Sequence, residues 1–205
     1  MPKDKTESHA KIVAAAFEEF LKYGFKDASM RRIAANCGMS ASGLYKHFPG
    51  KEEMFSALVS PAYDGLIEQY NNLFDEEIDT LSNVDAEDIW ADNSETEWII
   101  RYIYEHFDAF KLLVCHSQGT RYENYIHDLA VVETKTTELY FEKMKNLAIP
   151  FKKIPAREYH LFVTSAIDAI FRVVEHDFTE EEAIQYAKHL DVFYAAGWRR
   201  LMLSL

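Results

Sequence analysis

The stretch from Ser29 to Lys51, SMRRIAANCGMSASGLYKHFPGK, limits what this chain can fold into more than any other. Met30, Ile33, Ala34 and Cys37 recur at three- and four-residue spacing, the pattern of a short helix with one apolar face. Ser29 stands where an N-cap belongs, and Gly38 supplies the positive-φ residue that ends such a helix. Ser40 then offers a second N-cap. Leu44, Tyr45 and Phe48 form a second apolar stripe, closed by Pro49-Gly50. Two short helices joined by a tight glycine-containing turn predict a helix-turn-helix. In that motif the second helix enters the major groove of double-stranded DNA, its first turn toward the base edges. Here that turn is Ala41, Ser42 and Gly43, side chains small enough for close backbone approach. Arg31, Arg32, Lys46, His47 and Lys51 surround it as donors suited to phosphate oxygens.

The wider segment from Thr6 to Leu58 resembles the DNA-binding domain of the TetR (tetracycline-repressor-like) transcriptional regulators. Tyr23-Gly24 followed by Phe25 carries the resemblance, with Ser29, Ile33-Ala34, the turn Gly38-Met39-Ser40, Leu44-Tyr45 with Phe48, and Lys51-Glu52-Glu53. It covers about a quarter of the chain. Two positions depart from the pattern: Gly50 replaces the usual polar cap, and Gly43 weakens the recognition helix. The resemblance implies groove contacts from Arg31, Ala41, Ser42, Gly43 and Lys46, with Ser29, Tyr45, His47 and Lys51 on phosphates. It also implies a homodimer on a near-palindromic operator, with half-sites about 34–36 Å apart or a multiple of that.

Charge is partitioned accordingly. The 205 residues carry a formal net charge of −12, which argues against DNA binding until the chain is divided. Residues 1–60 hold nine Lys/Arg against seven Asp/Glu, leaving 13 against 27 in the remainder. The basic character is confined to the motif, and the acidic remainder repels non-specific contacts with nucleic acid. Cys37 and Cys115 form no disulfide framework. The charged N-terminus MPKDKTESH lacks a signal-peptide core, and no run reaches a membrane span. A cytoplasmic protein with no membrane partner is expected.

Along the chain, Ile12, Val13, Ala16, Phe17, Phe20 and Leu21 predict a first helix ending at Gly24. A long helix follows from Lys51 through Phe74, with Pro61 and Gly65 marking a candidate hinge. Residues 75–93, with eight carboxylates, read as an acidic loop holding a short helix near Asp85–Trp90. Ser94–Glu97 and Thr179–Glu182 are capping boxes. Further helices are predicted from Asp108 to Val114, Tyr122 to Leu147, Arg157 to Asp177 and Thr179 to Leu203. The expected fold is all-α: a three-helix helix-turn-helix domain over residues 1–60 and a helical ligand-sensing and dimerisation domain over 61–205. The last two helices are apolar on nearly every side, from Leu161 to Val174 and from Ile184 to Leu201. That pattern predicts burial from two directions, hence a homodimer through residues 157–203, the four-helix bundle that the resemblance also implies.

The middle of the chain is rich in aromatic residues, and apolar walls with a few polar groups make a ligand pocket. The candidates are Tyr70, Trp98, Tyr102, His106, Phe110, His116, Arg121 and Tyr125, with an effector of unknown identity. The break Cys115–Arg121 leads that set, because Arg121 suits a carboxylate or phosphate, or else a surface salt bridge. The eight histidines match no compact metal motif, so neither metal nor cofactor is expected. No phosphate-cradling glycine loop, nucleophile elbow or His-Glu zinc motif points to an enzyme. The sequence therefore reads as a DNA-binding regulator, a repressor released by a small molecule. The alternatives are an activator, or a helical ligand-binding or adaptor protein without operator binding.

Overall fold

The computed structural model describes residues 5–80 and 95–202 of the chain. Its described elements are all helices: α1 (Lys5–Asp27), α2 (Met30–Asn36), α3 (Ala41–Leu44), α4 (Lys51–Thr80), α5 (Glu95–Glu105), α6 (Phe107–His116), α7 (Tyr125–Asn146), α8 (Ala156–Glu175) and α9 (Glu180–Met202). They gather into two compact units. The first is Met1–Gly65 with His106–Asn124, the second Leu66–Glu105 with Tyr125–Leu205. The division falls inside α4, one turn beyond Pro61. No described helix is long and apolar enough to cross a membrane.

In the first unit α1 packs on α2 and α6, and α2 on α3. Ile12, Ala16 and Phe20 of α1, Ile33 of α2, Leu44 of α3 and Phe55 of α4 are fully buried. α1 continues past Gly24, where φ 68° and ψ 171° break the helix, and takes one more turn to Asp27. The Gly24 carbonyl is reused there, accepting from the Ala28 N–H at 3.1 Å. The end of α2 follows the local rule closely. The Gly38 N–H donates to Ala35 O at 3.1 Å and the Met39 N–H to Ala34 O at 2.9 Å, a Schellman motif with Gly38 at φ 70°. A Cβ at Gly38 would meet nothing within 4 Å, so only the backbone resists substitution. Gly38→Ala is expected to cost about 1 kcal/mol of stability in urea unfolding, the penalty of a left-handed L-residue.

The second unit is built from the end of α4 and from α5, α7, α8 and α9. The α7–α8 and α5–α9 pairs dominate it. Ala130, Tyr159, Val163 and Met202 form a buried cluster, with Phe141, Ile167 and Trp198 packed around it. The capping box of α9 is formed: the Thr179 N–H donates to Glu182 Oε2 at 2.8 Å, and the Glu182 N–H to Thr179 Oγ1 at 3.3 Å. Those Thr179 contacts hold the Glu182 carboxyl below the usual range. Residues 75–80, expected in a loop, extend α4, because buried Phe74 and half-buried Glu77 and Ile78 keep the helical stripe facing the unit. The short helix expected near Asp85–Trp90 and the Ser94 cap lie outside the described residues. α7 starts three residues later than its apolar pattern suggests, since Thr120 and Tyr122 are buried in a turn of the first unit.

Candidate nucleic-acid interface and effector cavity

The helix-turn-helix is held by groups from outside it. Glu19 on α1, only 3% exposed, accepts from the Ser29 N–H at 2.8 Å and from Arg32 Nε at 2.7 Å. One buried carboxylate thus takes the N-cap N–H of α2, where the Ser29 side chain makes no cap bond, and anchors the first turn of α2 to α1. Arg32 also donates to Asp27 O at 2.7 Å and lies over the Tyr23 ring at 4.3 Å. Lys51 is drawn inward likewise: its Nζ donates to Lys26 O at 2.8 Å and Ala28 O at 3.2 Å, above the Phe25 ring. The sequence listed both cations beside the motif. The structure uses Arg32 and Lys51 to tie α1, α2 and α4 together.

That leaves a different set facing outward. The side chains of Arg31, Lys46 and His47 are exposed and have no bonded partner among the described residues. Tyr45 is half exposed at 50%. Ser40 caps α3, accepting from the Gly43 N–H at 3.1 Å, with Ser42 Oγ 3.1 Å from Ser40 Oγ. After Leu44 the hydrogen bonds of α3 tighten, Lys46 N–H to Gly43 O at 3.2 Å and His47 N–H to Leu44 O at 2.9 Å. The recognition segment is therefore one α-turn followed by a 3₁₀-like turn. Buried Leu44 and Phe48 anchor it, while Ala41, Ser42, Gly43, Tyr45, Lys46 and His47 lie on or between the anchors.

The second unit holds a cavity of about 330 Å³. Of the sequence candidates, Tyr70 and Trp98 line it. Tyr102 sits on α5, and Tyr125 packs edge-on against Phe171 at 5.3 Å within the same unit. His106, Phe110, His116 and Arg121 belong to the first unit. There the Arg121 N–H donates to Glu52 Oε1 at 3.1 Å, and its guanidinium covers the Tyr122 ring at 4.7 Å. Burial, aided by Lys111, pushes the His116 imidazole below its usual range.

The polar centre of the cavity joins Tyr70 to three residues outside the sequence candidates, Glu133, Thr137 and Tyr159. Glu133 on α7 accepts from the Tyr70 hydroxyl and from Thr137 Oγ1 at 3.2 Å. Thr137 and Tyr159 hydroxyls lie 2.8 Å apart. Burial pushes the Glu133 carboxyl above the usual range, against the lowering effect of the hydroxyls that bond it. The signal was present: the inward stripe Leu129, Val132, Glu133, Thr137 and Tyr140 has helical spacing but includes polar members.

Among the described residues, no group of three His, Cys, Asp or Glu side chains could hold a metal ion. Residues 12–58 match the family model described as bacterial regulatory proteins, tetR family. A nucleoid occlusion factor SlmA from Idiomarina loihiensis is 44% identical over 55 residues, 27% of this chain and 28% of that protein. The SlmA of Vibrio cholerae is 40% identical over 53 residues, 26% of this chain and 27% of its own length. The chain thus spans under a third of the curated relatives it matches. Solved structures extend the likeness in fold to nearly the whole chain. The transcriptional regulator FadR from Bacillus subtilis, in complex with stearoyl-CoA, superposes with a TM-score of 0.58 at 14% identity, covering 92% of this chain and 98% of that one. NalD of Pseudomonas aeruginosa, described as the secondary repressor of the MexAB-OprM multidrug efflux pump, gives 0.57 at 15%, covering 91% and 94%.

Proposed function

We propose that this chain, whose residues 12–58 match the tetR family of bacterial regulatory proteins, is a homodimeric repressor that binds a near-palindromic operator and leaves it when a small molecule fills the cavity of the second unit. The observation that carries the DNA-binding part is the sorting of cations around the helix-turn-helix. Arg32 and Lys51 are spent on holding the motif, while Arg31, Lys46 and His47 are presented to solvent beside an α3 of small side chains. Phosphate contacts position such a surface and groove contacts specify its sequence.

Two further observations support the rest of the reading. Leu161 on α8 is 68% exposed, and Val192 and Phe193 on α9 are 62% and 71% exposed. The two stretches adjoin through Phe162, whose ring meets Trp198 edge-on at 5.7 Å. An apolar patch of this kind marks an association surface. A second copy of the chain, meeting it through residues 157–203, would place two recognition segments on one operator. The cavity volume falls in the range of small-molecule sites, about 300–1,000 Å³. A neighbour of the same fold, FadR, is described in complex with stearoyl-CoA. The signal would run along α4, which contributes residues to both units and contains Pro61 and Gly65.

The test starts by selecting bound fragments from genomic DNA, followed by gel-shift titration. Arg31→Ala is expected to weaken operator binding by about 10- to 100-fold and to relax base preference at one position per half-site. Unchanged affinity and unchanged preference in both Arg31→Ala and Lys46→Ala would overturn this docking.

A further inference from the structure

The lining of the cavity has one sign of charge. Glu77 on α4, Glu133 on α7 and Asp191 on α9 contribute carboxyl groups, and no lysine, arginine or histidine stands among the described lining residues. The rest of the wall is apolar or aromatic, with Trp98, Tyr140, Tyr159, Tyr194 and Trp198 from four helices. The bonded partners of Glu133 are hydroxyl groups, and the charge of Glu77 acts on it as repulsion.

We propose that this cavity takes a lipophilic organic cation, an aromatic or aliphatic body carrying a quaternary ammonium, phosphonium or protonated amine, with Glu133 as its counter-ion. The inference rests on the reading of the second unit as the effector domain and names the class of effector. An anionic head group would enter a low-dielectric space beside three carboxyls with no cation to receive it, which is costly. A neutral apolar ligand would fill the volume but leave Glu133 desolvated. A cation answers both terms: it restores to the carboxylate what burial removed, and the aromatic faces attract it through their quadrupoles. Hydroxyls from Tyr70 and Thr137 already orient the carboxylate, so little reorganisation is needed when the cation arrives.

Two ions of matched shape and opposite charge decide the matter: tetraphenylphosphonium and tetraphenylborate. Trp98 and Trp198 line the cavity, so binding to the full chain is read by tryptophan fluorescence and checked by calorimetry. The phosphonium is expected to bind at least about tenfold more tightly than the borate. Glu133→Gln, isosteric and able to keep the Tyr70 and Thr137 contacts, should remove that preference. Glu133→Asp should restore part of it. Thermal melts of each variant establish that it is folded, and Glu77→Gln, a lining carboxyl with a smaller expected effect, serves if Glu133→Gln is not. Equal or stronger binding of the borate, no binding of either ion, or an unchanged preference in a folded Glu133→Gln would overturn the inference. Operator release is scored separately by gel shift. Glu133-dependent phosphonium binding without release keeps the ligand class and removes the effector reading. Release by the borate alone does the reverse.

Discussion

Phe55→Ala is expected to lower the stability of the first unit by about 4 kcal/mol, the range for deleting a fully buried phenyl ring. The ring has no exposed surface and stands where three parts of the unit meet. Phe20 of α1 approaches it edge-on at 5.2 Å and Phe25 at 5.6 Å, while Tyr122 from the turn before α7 lies at 6.3 Å. Removing it leaves a cavity bounded by rigid aromatic rings, which cannot collapse to refill it. Against a total stability of about 5–15 kcal/mol for a domain, that loss makes the motif marginal. Urea unfolding followed by circular dichroism measures it. Tyr45→Ala is the companion: half exposed, it should shift stability by less than about 1 kcal/mol while weakening binding to all DNA sequences alike. If the two variants had equal effects on stability, the assignment of Phe55 to the core and Tyr45 to the interface would be wrong.

Replacing Leu161 and Phe193 together by glutamate is expected to split the proposed dimer without unfolding the monomer. Both side chains are largely exposed, so the carboxylates remain hydrated in the free chain and become costly only when a second copy covers them. Operator affinity should then fall by about 100-fold or more, because the second half-site is no longer delivered at high effective concentration. Sedimentation and gel shift read the two consequences separately. A double variant that still sediments as a dimer would move the interface elsewhere. The choice of positions depends on the fold. Ile170, which the sequence pattern placed with the interface residues of α8, is buried and lines the cavity, so a charge there would damage the unit itself. Gly197 is exposed, and a Cβ there would have open space.

What the sequence determined by itself is what short-range chemistry determines. Ser40 capping the Gly43 N–H, Gly38 at positive φ, and the Thr179–Glu182 box all close within a few residues, and each formed as its spacing predicts. The all-helical class and the helix-turn-helix follow from those signals and from the 3.6-residue stripe. Tertiary structure decided the rest, because the relevant partners lie far apart in the chain. Residue type alone does not separate Arg31, open to solvent, from Arg32, bonded to Glu19 13 residues away. Nor does it show that Lys51 bonds to a carbonyl 25 residues earlier. The cavity shows this most clearly. Tyr70 and Glu133 meet across 63 residues, whereas the break Cys115–Arg121 that local chemistry favoured folds into the first unit. A helical stripe shows which side of a helix turns inward. Whether that side meets close-packed neighbours or an open cavity depends on how the other helices fill the space, which no single stretch of sequence contains.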